Sequence, residues 1–222
     1  MFEDLVRESA LGCALCRRSR QAGDRSIAAF AYELVTDPVL RAELRRSLGF
    51  CRAHAITAAA QTGAPLAESI VCADLCAHVA RLLETGRPVA ASGPCPACLV
   101  AARRERHDLE TIGGRRLEGV CPSHPRPVPR RDLPCGPPIG EALPVGSLGP
   151  AVRADPGEAG RQRAAYAALQ RRLGDVIQHY DYRFREQPFD DFGATWEALA
   201  LFSGTDPHDR PHGPSPSEAT GP

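Results

Sequence analysis

The chain has no lysine: each of its 27 basic residues is arginine, and 27 acidic residues balance them to a formal charge of zero. With no net charge there is no long-range pull toward nucleic acid or an anionic membrane. No apolar run approaches the roughly 20 residues that cross a bilayer, and Met1-Phe2-Glu3-Asp4 does not open like a signal peptide. Period-two strand patterns are missing, as are a glycine-rich phosphate loop, a nucleophile elbow and a defensible pair of catalytic carboxylates. Aromatics amount to only 5% of residues. These absences argue against a membrane protein, a nucleic-acid binder and the common enzyme classes. They leave an all-α cytoplasmic protein, 43% hydrophobic and able to bury a core, whose role is interaction with another protein rather than catalysis.

What the chain does have is cysteine in a repeated arrangement. Cys13-x2-Cys16 is followed by Cys51-x2-His54, and Cys95-x2-Cys98 by Cys121-x2-His124. Residues three apart at a loop or first helical turn can turn inward on one ion, and three thiolates with one imidazole make a tetrahedral zinc complement. Taken in order, the ligands form a first set, Cys13, Cys16, Cys51 and His54, and a second, Cys95, Cys98, Cys121 and His124; spacing leaves a crossed pairing open. Two zinc ions are expected. A closed four-ligand site has no open position for substrate, so the expected role is structural. Iron-sulfur ligation is chemically possible, but the commoner clusters are all-cysteine. Covalent haem attachment is excluded, because Arg17 and Leu99 stand where a histidine would follow the second cysteine. The alternative is a thiol redox sensor or oxidoreductase using the CxxC pairs, although a thioredoxin-like site would need flanking strands.

Periodicity is helical almost throughout. Ile27, Phe30, Ala31, Leu34 and Val35 predict an amphipathic helix ending near Thr36. Asp37-Pro38 caps and starts the next, with Val39, Leu40, Leu44 and Leu48 on its apolar face and Gly49 as its stop. Helices are also expected from Cys51 to Gly63, from Pro65 to Gly86, and from Cys95 to Ile112. Nine prolines between Pro122 and Pro150 read as a linker. Asp155-Pro156-Gly157-Glu158 then opens a long helix with Tyr166, Leu169, Leu173, Val176 and Tyr180 along one seam. Trp196, Leu199, Ala200 and Phe202 mark a last helix, and Thr205 to Pro222 has the composition of a disordered tail. The expected organisation is a first Cys3His module (1–90), an abbreviated second (91–125), a Pro-rich linker (126–154), C-terminal helices packing on the modules (155–204) and the tail (205–222).

Other polar clusters have plainer readings. Cys72, Cys76 and His78 share one helix, but the two cysteines lie on the ridge of Val79 and Leu83 and read as core. Cys135 reads as an exposed thiol, and His107, His208 and His212 as surface residues. The arginines at 103, 104, 106, 115 and 116 are interrupted by Glu105, Asp108 and Glu110, the pattern of a solvated helix face. Tyr180 and Phe184 are expected to extend the apolar seam, with Tyr182, Asp181 and Arg185 facing elsewhere as a ligand or partner surface or, more plainly, with Asp181 and Arg185 as an i,i+4 ion pair.

Five blocks together resemble an uncharacterised bacterial family, the domain-of-unknown-function family 6062: CALC at 13–16, AYELVTDPVLRAELRRSLGFCRAH at 31–54, CPAC at 95–98, the reduced CPSH at 121–124 and HYDYRFREQPF at 179–189. The resemblance implies a mostly helical protein with two metal-binding half-modules and no assigned activity. This chain departs from it after His124, where the proline run replaces continued helix.

Overall fold

The computed structural model describes residue 4 and residues 13–60, 65–87, 89–113, 156–184, 186–187, 189, 191 and 193–204. Among them the fold is all-α, with no strand. The proline-rich linker, the tail, Cys121, His124 and Cys135 lie outside the described residues.

Helix α1 (Ala14–Ala29) begins directly after Cys13 and runs without a break into a wider π-helical turn, Phe30–Leu34. Ile27 and Phe30 are buried as their spacing requires. Helix α2 (Pro38–Ser47) starts as the sequence indicates: the Asp37 carboxylate accepts from the Leu40 amide at 2.8 Å, with proline at the first position. Its end differs from expectation. The left-handed cap falls on Leu48 (φ 53°), and Gly49 adopts φ 100° while its amide donates to Leu44 at 2.8 Å. Val39, expected on the apolar face, is 67% exposed, because the helix turns Leu44 inward instead.

Helix α3 (Arg52–Ala59) follows after Cys51, and α4 (Pro65–Glu84) carries Val71, Cys72, Leu75, Cys76 and Val79 into the core. The two cysteines are packing residues, as their ridge suggested; burial holds the Cys72 thiol well above its usual range and pushes Cys76 up to about 12. Helix α5 (Pro96–Ile112) ends on Gly113 at φ 58°. Helix α6 (Pro156–His179) buries Tyr166, Leu169, Leu173 and Val176, and α7 (Gly193–Ser203) is buried on nearly every face.

Two antiparallel pairs organise the molecule. In the α4–α6 pair, Arg163 near the start of α6 meets Glu84 at the end of α4 at 3.4 Å. In the α1–α5 pair, the Ser19 hydroxyl donates to the Ala101 carbonyl at 3.0 Å, and Arg18 lies 3.7 Å from Asp108. Helix α7 packs against α3, α4 and α6. Its Thr195 hydroxyl shares a buried 2.6 Å hydrogen bond with Ser69 of α4. One apolar core contains residues from every helix from α1 to α7.

Two sequence expectations need correction. Asp108 does not face solvent: its side chain is fully buried between Arg18 and Arg104, whose positive charges compensate the carboxylate. Tyr180 is 43% exposed, because α6 stops at His179 and the chain turns off the seam. Asp181 pairs with Arg183 at 2.6 Å, two residues on; Arg185, its expected partner, lies outside the described residues.

Candidate metal centre

Cys51, His54, Cys95 and Cys98 converge, their ligand atoms all within 4.8 Å of one another. His54 Nδ1 lies 3.2 Å from Cys51 Sγ, 3.2 Å from Cys98 Sγ and 3.6 Å from Cys95 Sγ, and the Cys51 and Cys98 sulfurs are 3.7 Å apart. A tetrahedral ion with metal–sulfur bonds of about 2.3 Å and a metal–nitrogen bond of about 2.05 Å requires sulfur–sulfur edges of about 3.8 Å and sulfur–nitrogen edges of about 3.6 Å. The three sulfur–nitrogen spacings and the Cys51–Cys98 spacing lie within a few tenths of an ångström of the edges a zinc-like ion needs. The cysteines are 2–6% exposed, so the group is closed to solvent except along the imidazole.

Each half of the centre is built alike. Cys51 caps α3 and Cys95 caps α5, both with extended backbone, while His54 and Cys98 occupy the third helical position of the same helices. That is why the x2 spacing works: cap and third residue lie on one side of a helical first turn. Both helices aim their positive ends at the sulfurs of their cap cysteines. The two helix starts are held together by the loop before α5. The Ser92 and Gly93 amides donate to the Arg46 carbonyl at 2.7 and 3.1 Å, using a free acceptor at the end of α2.

The electrostatics suit a thiolate. A hydrogen bond from Cys95, and then the His54 side chain and amide, bring Cys51 down to about 4, while that shared proton and burial hold Cys95 well above the usual thiol range. Cys51 is thus a thiolate at neutral pH, and Cys95 becomes one when a cation replaces the proton between them.

This grouping is the crossed one. The C-x2-H after α2 joins the C-x2-C that opens α5, not the Cys13–Cys16 pair that opens α1. The antiparallel α1–α5 pairing explains why: Gly23 of α1 is level with the start of α5, and Cys13 lies ten residues, about 15 Å of helix, farther along. At that far end Ala14 and Leu15 pack against Ile112 and Leu109, near the end of α5. Among the described residues no other group of three or more Cys, His, Asp or Glu side chains is arranged to hold a metal, so Cys72, Cys76 and His78 form no site. No described helix is long and apolar enough to cross a membrane.

Two residues here were not singled out by sequence reasoning. Gly23 gave no signal, since a glycine inside a helical pattern has many causes. Glu68 did give one: it shares the i, i+3, i+4 ridge of Val71, Cys72 and Leu75. It is 5% exposed, its Oε1 has no hydrogen-bond partner, and burial pushes its carboxyl up to about 7. No family model, no curated protein and no solved structure matches the chain.

Proposed function

We propose that the protein is a zinc-stapled helical scaffold that presents its surfaces to a partner protein in a reducing, cytoplasmic compartment. The observation that carries this reading is the near-tetrahedral spacing of Cys51, His54, Cys95 and Cys98. Zinc suits three thiolates and one imidazole, and four protein ligands leave no position at which a substrate would coordinate. The ion would join α3 to α5, two helix starts linked in sequence only through long intervening segments, so its binding free energy would act as folding free energy.

Cys13 and Cys16 are proposed as half of a second zinc set, completed by Cys121 and His124. Helix α5 ends beside Cys13 and Leu15, and seven residues separate Gly113 from Cys121. Each CxxC would then take the C-x2-H that follows the other, a reciprocal exchange between two half-modules. Such half-modules are what the resemblance to domain-of-unknown-function family 6062 implies, and membership of that family is proposed on the same blocks. Elemental analysis of the reduced full-length protein is expected to find close to two zinc per chain, with a Cys51→Ser variant losing one and melting at lower temperature. Full zinc content and an unchanged melting temperature in that variant would refute the assignment.

The lowered Cys51 thiol, about 4, with the Cys98 sulfur 3.7 Å away, supports a second reading, a redox-controlled staple. Hydrogen peroxide would take two electrons from the Cys51 and Cys98 thiols, forming an S–S bond and two waters, and the metal would leave with its ligands. Stoichiometric zinc release by peroxide, reversed by dithiothreitol and zinc, is expected; retention of zinc under peroxide would remove this reading.

A further inference from the structure

Gly23 lies in the middle of α1, a position where glycine is about 1 kcal/mol worse than alanine for helix stability. Its φ is unexceptional, so backbone conformation does not require glycine there. What it lacks is room. A Cβ at this position would stand 3.1 Å from His54 Nε2 and 3.4 Å from the Ala97 carbonyl oxygen, with the Ala101 methyl at 3.7 Å. It would be wedged between the imidazole and the first turn of α5. The other edge of that imidazole, Nδ1, faces the three sulfurs at 3.2 to 3.6 Å.

We infer that Gly23 is a positioning residue of the metal centre: the bare backbone of α1 is the floor on which the His54 ring rests, and it sets how far Nδ1 advances toward the three thiolates. This rests on the metal reading of the centre. The magnitudes make the effect consequential. Relieving a 3.1 Å contact requires the ring to move by a few tenths of an ångström, whereas metal–ligand distances tolerate only about 0.2 Å. Retreat of α1 is opposed by the Ser19 to Ala101 hydrogen bond one turn away.

The experiment is a double-variant cycle on the reduced full chain, with Gly23→Ala, His54→Cys and both together. Cobalt(II) absorption spectra and zinc affinity by chelator competition are read, with far-UV circular dichroism reporting folding. Gly23→Ala is expected to weaken zinc binding at this centre by about tenfold or more, the range found for residues that orient a ligand, and to shift the cobalt ligand-field bands while helix content holds. In the His54→Cys background the same change should alter affinity less than about threefold, because the ring it would displace is gone. Wild-type affinity and spectrum in Gly23→Ala would overturn the inference. So would an equal loss in both backgrounds, which would make Gly23 a residue of helix packing alone. Absence of cobalt uptake at this centre by the wild type would instead sink the metal reading itself, and this inference with it.

Discussion

Glu68 shows how a single side chain couples the core to pH. Its carboxyl is buried against apolar residues without a cationic partner, so the native protein keeps it protonated up to about 7, where an unfolded chain would release the proton near 4.5. Between those values the native state holds more protons than the unfolded state, and stability must fall as pH rises through that window and stay lower above it. The size is on the order of 2 kcal/mol between pH 5 and pH 8. A Glu68→Gln variant, which imitates the neutral acid, should therefore gain on the wild type by about that amount as pH is raised from 5 to 8, measured by urea unfolding at each pH. A constant difference between the two proteins would show that Glu68 does not titrate in the fold. The carboxyl was legible in the sequence as a charge on an apolar ridge. Asp108 was not, because its burial depends on Arg18, ninety residues away, which only the packing of α1 on α5 brings near.

At the scale of elements, starts were easier to read than ends. Asp37-Pro38 is a local signal, and the expected cap is present at 2.8 Å. Asp37→Ala should cost about 1 kcal/mol in stability, read from the shift in urea midpoint. Helix ends respond to what lies beyond them. Leu48 accepts a left-handed conformation because Gly49 continues the turn and because Leu48 is itself buried, a tertiary gain that local propensity does not contain. Gly49 is therefore less replaceable than a helix stop alone would be: a Cβ there meets Leu75 at 3.3 Å and Phe202 at 3.4 Å, at φ 100°. Gly49→Ala is expected to destabilise by about 1 to 3 kcal/mol. It should also loosen the metal centre, since Gly49 and Phe50 deliver Cys51. Equal zinc affinity in wild type and variant would show that the turn and the centre are independent. The π-helical turn at Phe30–Leu34 has no sequence signature, as its apolar spacing also fits an α-helix.

For the whole molecule, the ligand types were legible and their partnership was not. C-x2-C and C-x2-H each report a cap and the third residue of one helix, which is local. Which pair faces which is set by the antiparallel packing of α1 and α5, which places their two N-terminal CxxC pairs at opposite ends. Core residues far from the centre should matter independently of metal: Leu173→Ala, at a fully buried position of α6, is expected to cost 2–5 kcal/mol without changing zinc content. The central claim is that Cys51 and Cys95 hold the same ion, and it is tested most directly by zinc content in Cys51→Ser, Cys95→Ser and the double variant. The account predicts that each single variant loses one zinc and that the double variant loses no more than either. Losses that add in the double variant, or a reduced wild type that carries no metal, would contradict it.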